Sequence, residues 1–465
     1  MSQQKLSLEV CLDAASETEA LLLGENTLEQ IPTLARRYFQ FSTACIIADE
    51  NTNNAAGNRV RDMVTAAGIP LAEPFIFPGS PRLHAEIGHC ARIEAHLKAL
   101  PGYPAILPIA VGSGTVNDLV KRAAGELALP YLCVPTAASV DGYTSYGAAL
   151  LSDGFKQTFP CPAPRVLAAD TTLLRSAPAY LNSSGFGDLA GKLIAGTDWI
   201  IAEKAGALGA PGTEPIEARA WAMTQNGLPE TLQSSVDAVR GDGEGVRTLF
   251  AALAVTGFAM QYLRSSRPVS GCEHLWSHVW EMEDLSVDGV PVTHGHKVAL
   301  GTLAAAAFTE CLFASAEPPA PRKRPSRAER EAEVRTAFAH IAIANSENTK
   351  GAGSKAADAA VKTSLEKYLD EPEAAALADG LRDNWKPLRE AVLAKLTPYG
   401  ELRSLLAKGG CPVSPAELGL TRNAVIATAR RAQMIRNRYT ALDLAWDLGI
   451  FEDVLARLEG DAGYL

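Results

Sequence analysis

The stretch AILPIAVGSGTVND, residues 105–118, decides the fold of the N-terminal half. It begins as an uninterrupted apolar run, which is typical of a strand buried on both faces of a parallel sheet. Gly112, Ser113, Gly114 and Thr115 follow directly and lead into a helical pattern. Free backbone N–H groups and the positive end of the helix dipole make such a turn suitable for binding phosphate. Glycine at a strand-to-helix turn also has a purely steric explanation, and at this stage both explanations stand.

Similar apolar runs lie on both sides of this stretch. They are ACIIAD at residues 44–49, PFIF at 74–77 and YLCV at 131–134, and helical patterns separate them. Strands that alternate with helices form parallel sheets with right-handed crossovers. The sequence therefore predicts an α/β domain with a Rossmann-like parallel sheet.

Shorter strand patterns follow residue 140. GAALLSD and GFKQTF flank the pair Asp153-Gly154, which is typical of a hairpin turn, and RVLAAD ends at Asp170. We expect these strands to form a β extension that closes the first domain. Beyond Asp170 almost every segment has a helical pattern, so we predict an α/β domain over residues 1–171 and an all-α domain over 172–465.

Composition limits the classes of partner. The chain has 465 residues with 43 Lys+Arg against 53 Asp+Glu, a net charge of −10. This sign disfavours nucleic acid or an anionic membrane as the main partner. The most apolar stretch, residues 298–316, is interrupted by polar residues and is expected to be a buried helix. The N-terminus lacks the pattern of a secretory signal, so we expect a cytoplasmic protein.

Two other features have simple explanations. The eight cysteines are scattered without a CxxC pair, which favours reduced thiols in the core over a zinc or disulfide framework. Residues 317–330 (EPPAPRKRPSRAER) are rich in proline and basic side chains. We interpret them as a solvated loop, with a nucleic-acid or targeting patch as the alternative.

The histidines are concentrated in one part of the chain. Of eight, four lie between residues 274 and 296. His274 and His278 are four apart and project from one face of a predicted helix, whereas His294 and His296 lie in VTHGHKVALG, a predicted loop before a helix. Such imidazoles suit a divalent transition metal, which usually also binds a carboxylate. The histidines outside this cluster are expected to be ordinary core or surface groups.

The carboxylate that the sequence suggests is Asp188, in SSGFGDLAGK. Its place after small residues predicts a turn leading to a helix start, so an N-cap role is the alternative. Lys192 follows one turn later on the same face.

Other polar residues lie at the ends of predicted strands. Asp49 follows the first strand, where it could bind the ribose of a dinucleotide or cap a helix. Thr136, Asp141 and Ser145 lie in VPTAASVDGYTS, residues 134–145, after another strand. The carboxyl ends of parallel strands face the ligand crevice, so these side chains are candidates for contacts with substrate or nicotinamide, with capping as the alternative.

Five motifs in this order resemble the iron-containing alcohol dehydrogenase and glycerol dehydrogenase superfamily. They are GSGTVND, VPTAASVDGYTS, GFGDLAGK, EHLWSH and THGHKVALGT. Further stretches are most similar to its sn-glycerol-1-phosphate dehydrogenase branch, namely GFKQTFP, GCEHLWSHVWEM and RNRYTALDLAWDLGI. The resemblance spans roughly residues 20–450.

The resemblance implies an architecture like that of dehydroquinate synthase, with an NAD(P)-binding α/β domain and a helical catalytic domain that binds a divalent metal. It implies Asp188, His274 and His294 as metal ligands, with His278 lining the active site. The cofactor-binding residues it implies are Gly112, Ser113, Gly114, Thr115, Asp118, Thr136 and Ser145, and Asp141 also matches a position that contacts nicotinamide and substrate. Asp49 joins the cofactor-binding candidates because of its place after the first strand.

Two positions depart from the family pattern. Many iron-dependent members carry a further histidine ligand where this chain has Lys192, which favours zinc, with nickel or iron as the alternatives. Glycerol dehydrogenases usually read HGEKV, and this chain has His296 in place of the glutamate. The sequence does not decide whether His296 is a ligand.

The implied reaction is reversible hydride transfer between NAD(P)H and dihydroxyacetone phosphate, giving sn-glycerol 1-phosphate. Asp141 or a water near His278 would relay the proton, and Lys156, Lys192 or Lys297 would bind the substrate phosphate. The alternatives are a glycerol or other polyol dehydrogenase, a cyclising lyase of the dehydroquinate synthase type, and a non-catalytic nucleotide-binding protein. The resemblance also leads us to expect a homo-oligomer.

Overall fold

The computed structural model describes residues 5–320, 322–341 and 352–465. The apolar runs form one parallel sheet of six strands in the order β1-β8-β5-β4-β2-β3. The strands of this sheet are β1 (Ala20–Gly24), β2 (Thr43–Asp49), β3 (Phe75–Phe77), β4 (Ile106–Gly112), β5 (Leu132–Pro135) and β8 (Val166–Asp170). Two short two-stranded sheets consist of β6 (Ala148–Ser152) with β7 (Phe155–Phe159), and β9 (Ser286–Val287) with β10 (Val290–Pro291).

The sheet is stabilised by burial of the same apolar residues from which it was predicted. All seven residues of β4 are buried, and Ile109 pairs in register with Ile46 on β2 and with Leu132 on β5. These three side chains belong to one core cluster. The predicted α/β class with a parallel sheet is therefore confirmed.

Two strands differ from the sequence-based prediction. The sequence reading missed β1, because ALLLG is short and has no β-branched residue. We expected β8 in the β extension, but it lies inside the main sheet between β1 and β5. Only β6 and β7 form the separate hairpin, and its turn is the predicted one, with Asp153 at φ 50° and Gly154 at φ 77°.

Helices connect the strands and predominate in the described residues after Asp170, where the short pair β9 and β10 departs from the all-α prediction. The helices up to residue 263 are α1 (Leu8–Ala14), α2 (Ile31–Tyr38), α3 (Glu50–Thr52), α4 (Asn58–Ala66), α5 (Ile87–Ala99), α6 (Gly114–Glu126), α7 (Thr171–Ser176), α8 (Ala179–Gly206), α9 (Ala218–Gln225), α10 (Leu228–Ser235) and α11 (Gly243–Leu263). Those that follow are α12 (Cys272–Met282), α13 (His294–Leu312), α14 (Arg327–Phe338), α15 (Ala352–Glu366), α16 (Glu371–Asp383), α17 (Trp385–Lys395), α18 (Tyr399–Lys408), α19 (Arg422–Met434), α20 (Ala441–Asp447) and α21 (Phe451–Gly460).

Contacts divide the chain into two compact units. The first comprises Met1–Ser152, Lys156–Leu189 and Ala222–Ser266, and the second comprises Asp153–Phe155, Ala190–Trp221 and Arg267–Leu465. The first unit contains the parallel sheet, and the second consists mainly of helices. The division into a cofactor-binding domain over residues 1–171 and a catalytic domain over residues 172–465 stays a prediction.

The two most apolar helices are core helices. The stretch expected to be a buried helix is α13, and most of its residues are buried. Helix α11 is long and apolar enough to span a membrane by length and composition alone, but 61% of its most apolar window is buried inside the protein. A core helix of a globular protein passes the same test. The eight cysteines are all buried free thiols, as predicted.

The basic, proline-rich segment 317–330 is bound to neighbouring helices of the second unit. Arg322 pairs with Asp453 and Arg324 with Asp447, while Arg330 lies buried against Ser364. The prediction of a solvated loop is wrong in part, because residues from Arg327 onward belong to α14 and the side chains of Arg324 and Arg330 are buried. These buried charges also disfavour a nucleic-acid patch. The sequence leaves the role of residues 317–365 unexplained, and of these residues 321 and 342–351 lie outside the described ones.

Candidate functional site

The turn between β4 and α6 is shaped by close packing. A Cβ added at Gly112 would lie 2.5 Å from Cβ of Val116, and one at Gly114 would lie 2.4 Å from Cγ1 of Val140. Glycine is therefore required sterically at both positions. Ser113 is the N-cap residue of α6, but its hydroxyl makes no capping hydrogen bond. The first-turn N–H groups thus keep the arrangement that suits a phosphate, with Thr115 and Asp118 in the same helix.

A buried lysine that the sequence reading missed joins α6 to the loop after β5. The ammonium of Lys121 has no solvent exposure and donates to the carbonyl oxygens of Gly142 (2.7 Å) and Gly147 (3.0 Å), and to Oγ of Ser145 (3.0 Å). It also lies 3.1 Å from Oδ1 of Asp118. Ser145 in turn donates to the carbonyl oxygen of Gly142. Two predicted site residues, Asp118 and Ser145, therefore share one cation.

Two other predicted residues have structural contacts at strand ends. Asp49 caps α3 by accepting a hydrogen bond from the N–H of Thr52 at 2.8 Å, so the capping role suggested by the sequence is present. The N–H of Thr136 donates to the carbonyl oxygen of Gly112 at 3.1 Å, which joins the ends of β5 and β4. The loop that begins at Thr136 therefore starts beside the glycine turn.

Asp188 lies inside a helix and not at its start. The expected turn SSGFGD belongs to α8, and Asp188 is completely buried there. The small residues that suggested a turn instead allow close packing, since a Cβ at Gly185 would lie 1.8 Å from the carbonyl oxygen of Ala138. Oδ2 of Asp188 accepts a hydrogen bond from the N–H of Asp141 at 2.9 Å. The N-cap alternative for Asp188 is therefore wrong.

Three histidine rings cluster on α12 and α13. His274 and His278 lie on one face of α12, as predicted, with ring centroids 6.1 Å apart. His294 is the first residue of α13, which Thr293 caps, and its ring centroid lies 5.4 Å from that of His274. Small residues permit this approach, because a Cβ at Gly301 of α13 would lie 2.4 Å from the carbonyl oxygen of Glu273 on α12.

Potential ligand atoms of Asp188, His274 and His294 all lie within 4.8 Å of one another. On α8, the turn after Asp188 carries Gly191, where an added Cβ would lie 3.6 Å from Cε1 of His274. One carboxylate oxygen and two imidazole nitrogens are the donor set that zinc and other divalent transition metals prefer. The residues therefore fit such a metal. His296, also on α13, does not belong to this group.

Two carboxylates absent from the sequence prediction contact these histidines. Oε1 of Glu273 lies 2.7 Å from Nδ1 of His274, and Oε1 of Glu281 lies 2.6 Å from Nδ1 of His294. Glu273 is adjacent to His274 in sequence, and this adjacency was the one signal that could have indicated the contact. Glu281 pairs with a residue on another helix, so no local pattern could have indicated it.

The third histidine has a different environment. Burial lowers the pKa of His278 well below its usual value, and the positive charge of Arg436 acts in the same direction. Its Nδ1 is buried and has no hydrogen-bond partner. His278 is therefore neutral at physiological pH.

A second group of potential ligands consists of Asp198, Cys272 and Glu273. Asp198 already accepts hydrogen bonds from the N–H groups of Cys272 (2.6 Å) and Ala441 (2.8 Å). Burial raises the pKa of the Cys272 thiol, so the thiolate that binds metals is disfavoured. The buried guanidinium of Arg267 donates to the carbonyl oxygen of Asp198. We therefore interpret this group as a structural network that anchors the start of α12.

Comparisons with known proteins identify the family of the chain. Residues 22–178 match the family described as iron-containing alcohol dehydrogenase. A Bacillus velezensis protein is 34% identical over 61% of this chain and 69% of its own length, and is named glycerol-1-phosphate dehydrogenase (NAD(P)+). A Geobacillus stearothermophilus protein of the same name is 30% identical over 91% of both chains. The chain belongs to the glycerol-1-phosphate dehydrogenase family.

Solved structures support the fold of this glycerol-1-phosphate dehydrogenase family member. Glycerol dehydrogenase from Schizosaccharomyces pombe aligns with a TM-score of 0.58 over 100% of this chain and 94% of its own, at 16% sequence identity. An identity this low supports the architecture alone. The resemblance predicted from the five motifs is confirmed, and so is membership of a family of NAD(P)-linked oxidoreductases.

Proposed function

We propose that this chain is a metal-dependent, NAD(P)-linked glycerol-1-phosphate dehydrogenase. Hydride passes reversibly from the nicotinamide of NAD(P)H to the carbonyl carbon of dihydroxyacetone phosphate, and a proton is added to the carbonyl oxygen, which gives sn-glycerol 1-phosphate. The observation that carries the proposal is the group of Asp188, His274 and His294, found in a chain whose curated relatives bear that name.

In this proposal, Asp188, His274 and His294 hold one divalent metal. Zinc is favoured because Lys192 stands where many iron-dependent members of the superfamily have a further histidine, and nickel or iron would use the same three ligands. A bound metal supplies Lewis-acid stabilisation of the negative charge that develops on the substrate oxygen. The hydrogen bond from Asp141 N–H to Asp188 Oδ2 holds the carboxylate of the triad in a single orientation.

We assign the transfer of the proton to His278 and Asp141. Burial keeps the imidazole of His278 neutral, so in the oxidation direction one ring nitrogen can accept the proton of the substrate hydroxyl through a water. In the reduction direction the same nitrogen takes up a proton from water and passes it to the substrate oxygen, so the imidazole is neutral again after each transfer. The ring centroid of His278 lies 6.3 Å from that of His294, which supports a position beside the ligands. Asp141 is the second candidate because its own N–H contacts Asp188.

The cofactor is assigned to the first unit. The N-terminus of α6, at Gly112, Ser113, Gly114 and Thr115, would bind the pyrophosphate, and Thr136 and Ser145 would contact the nicotinamide. Asp118 acts through its contact with Lys121. Asp49, at the end of β2, would bind the adenosine ribose and disfavour the additional phosphate of NADP by charge repulsion.

Three lysines are candidates for binding the substrate phosphate. Lys192 and Lys297 are buried one helical turn after Asp188 and His294 respectively, which supports a place near the triad. Lys156 lies half-buried on β7. We retain Lys156 as the first assignment and treat the two helical lysines as its alternatives.

We further propose that the protein is a cytoplasmic homo-oligomer that acts on small molecules. Sedimentation of the full chain tests the oligomeric state.

The activity is tested with protein that has been stripped by a chelator and reloaded with zinc, nickel or iron. Oxidation of NADH and of NADPH is followed with dihydroxyacetone phosphate and, separately, with dihydroxyacetone. Metal-dependent oxidation with only the phosphorylated ketone is the expected result. Oxidation with dihydroxyacetone alone would assign the chain to the polyol dehydrogenases. No net oxidation with either ketone, despite bound NAD and metal, would point to another carbonyl substrate or to the cyclising lyase.

A further inference from the structure

Each of the two histidines in the triad contacts one glutamate of α12. The pairs are His274 with Glu273 and His294 with Glu281, and both contacts join Nδ1 to a carboxylate oxygen at 2.6–2.7 Å. At this distance the imidazole Nδ1–H donates to the carboxylate in a short, charge-assisted hydrogen bond. A neutral imidazole carries a single N–H, so its lone pair is then on Nε2.

This arrangement selects the form of the ring that a metal requires. A histidine binds a metal through an unprotonated nitrogen, and a carboxylate on the other nitrogen fixes both tautomer and ring orientation. Here the two carboxylates impose the same tautomer on His274 and His294. The third ring, His278, has a buried Nδ1 with no hydrogen-bond partner. The contact with a carboxylate thus distinguishes the predicted ligands, His274 and His294, from His278.

The two glutamates are held differently. Glu273 is completely buried, and its Oε1 also accepts a hydrogen bond from the N–H of Gly271 at 2.7 Å. A Cβ at Gly271 would lie only 2.7 Å from the other oxygen, Oε2, so glycine at this position leaves the space that the carboxylate needs. Glu281 lies in the last turn of α12 and its side chain is 11% exposed. Glu281 is therefore the better position for substitution without loss of the fold.

We propose that Glu273 and Glu281 are positioning residues that fix the Nδ1–H tautomers of His274 and His294 and thereby set the affinity of the site for its divalent metal. This inference rests on the ligand assignment in the proposed function and adds the two groups that orient the ligands. In this proposal both act through the histidines that they contact.

The decisive variant is Glu281→Gln, and the chain offers a matched control. Glu283 lies two residues further along, next to the end of α12, and pairs with Arg431 at 2.9 Å and with the exposed His340, away from the triad. Glu283→Gln makes the same chemical change in the same segment. Glu281→Asp keeps the charge but shortens the side chain, and provides a second test if the glutamine variant does not fold.

The experiment measures zinc affinity of the full-length, chelator-stripped protein by competition with a chromophoric chelator. Loss of an outer carboxylate partner typically weakens metal binding about 10- to 100-fold, and we expect a loss in this range for Glu281→Gln. Glu283→Gln should bind zinc as the parent does. The cobalt-substituted protein gives a second readout, because a reoriented imidazole changes the visible absorption bands of bound cobalt in Glu281→Gln alone.

The outcomes separate this inference from the proposed function. Unchanged zinc affinity and cobalt spectrum in Glu281→Gln, with metal-dependent activity in the parent, would overturn the positioning role and leave the ligand assignment intact. If the parent binds no metal, or if His294→Ala leaves zinc binding unchanged, the ligand assignment fails and the inference fails with it. Equal losses in Glu281→Gln and Glu283→Gln would show a general effect on the helix end and would also overturn it.

Discussion

The backbone N–H of Asp141 donates to Oδ2 of Asp188 at 2.9 Å, so the loop after β5 is anchored to the buried carboxylate of the triad. The carboxylate thereby has two roles in our proposal, as a metal ligand and as an acceptor for the loop. Substitutions at Asp188 can separate the two, because asparagine keeps an acceptor oxygen but removes the charge.

We expect Asp188→Asn to lose the metal while keeping the fold. Loss of a direct ligand should weaken zinc binding by more than the roughly 10- to 100-fold typical of an outer partner. Elemental analysis after dialysis and the turnover rate with saturating zinc measure this. Asp188→Ala should in addition lower the melting temperature, since it leaves the N–H of Asp141 without its acceptor. Retention of one metal per chain in Asp188→Asn would contradict the assignment.

Lys121→Met should destabilise the protein and weaken cofactor binding. Removing the buried ammonium leaves the Asp118 carboxylate, two carbonyl groups and Ser145 without their shared donor. Breaking a buried ionic contact on one side costs about 3–5 kcal/mol. Chemical denaturation and NADH fluorescence titration measure the two effects. The control Lys98→Met affects an exposed pair with Glu94 and should change stability by less than about 0.5 kcal/mol.

Gly112→Ala should destabilise the turn by steric overlap. The new Cβ would lie 2.5 Å from Cβ of Val116, and overpacking of this kind costs about 1–3 kcal/mol. Val116→Gly removes the overlapping Cβ, so the loss caused by Gly112→Ala should be smaller in that background, and a double-mutant cycle by urea denaturation should show favourable coupling. Gly88→Ala is the control, because nothing lies within 4 Å of its Cβ position in α5, and it should stabilise by about 0.5–1 kcal/mol. Independent effects of the two substitutions in the cycle would argue against the overlap.

Lys395 should make the free energy of unfolding depend on pH in the alkaline range. Burial lowers the pKa of this ammonium to about 8, and its Nζ lies 5.6 Å from the ring centroid of Trp221. Between pH 8 and about 10.5 the unfolded chain keeps the proton that the folded protein has released, so the free energy of unfolding rises with pH in this range. Lys395→Met should remove this part of the rise. Urea denaturation at several pH values measures the free energy of unfolding, with the exposed Lys408→Met as the control. Parallel pH profiles for the parent and Lys395→Met would contradict the lowered pKa.

Lys156→Ala should raise KM for dihydroxyacetone phosphate selectively. A charge-assisted hydrogen bond contributes about 1.5–3 kcal/mol, which corresponds to about a 10- to 100-fold change in affinity. Steady-state kinetics with the phosphorylated and unphosphorylated ketones measures the selectivity. Lys355→Ala is the control, because Lys355 pairs on the surface with Asp153 in the turn that precedes β7. Equal losses with both ketones would exclude Lys156 and transfer the role to Lys192 or Lys297.

The sequence predicted those features whose cause is local. β2, β4 and β5 are continuous apolar runs, and α6 follows a glycine turn, so each element could be recognised from its own residues. The pair His274 and His278 was placed on one helix face because spacing alone determines that relationship. The hairpin between β6 and β7 was likewise predicted from two turn residues.

Features that depend on distant partners could not be predicted in the same way. Nothing in ALLLG shows that β1 pairs with β8, and nothing in SSGFGD shows that its small residues pack inside α8. In the sequence, Lys121 cannot be distinguished from other lysines in helices. Its burial depends on the loop after β5, which packs over it. These residues acquire their roles from neighbours that are far away in sequence.

The sequence by itself determined the alternation of strands and helices, the glycine turn and the identity of the histidines, because backbone preference and side-chain period act over a few residues. Only the tertiary structure decided that Asp188, His274 and His294 converge, and that Glu281 on one helix contacts His294 on the next. The physical reason is that a ligand set requires positions and orientations in space. Packing of α8, α12 and α13 through close glycine contacts sets those positions, and no local pattern encodes them.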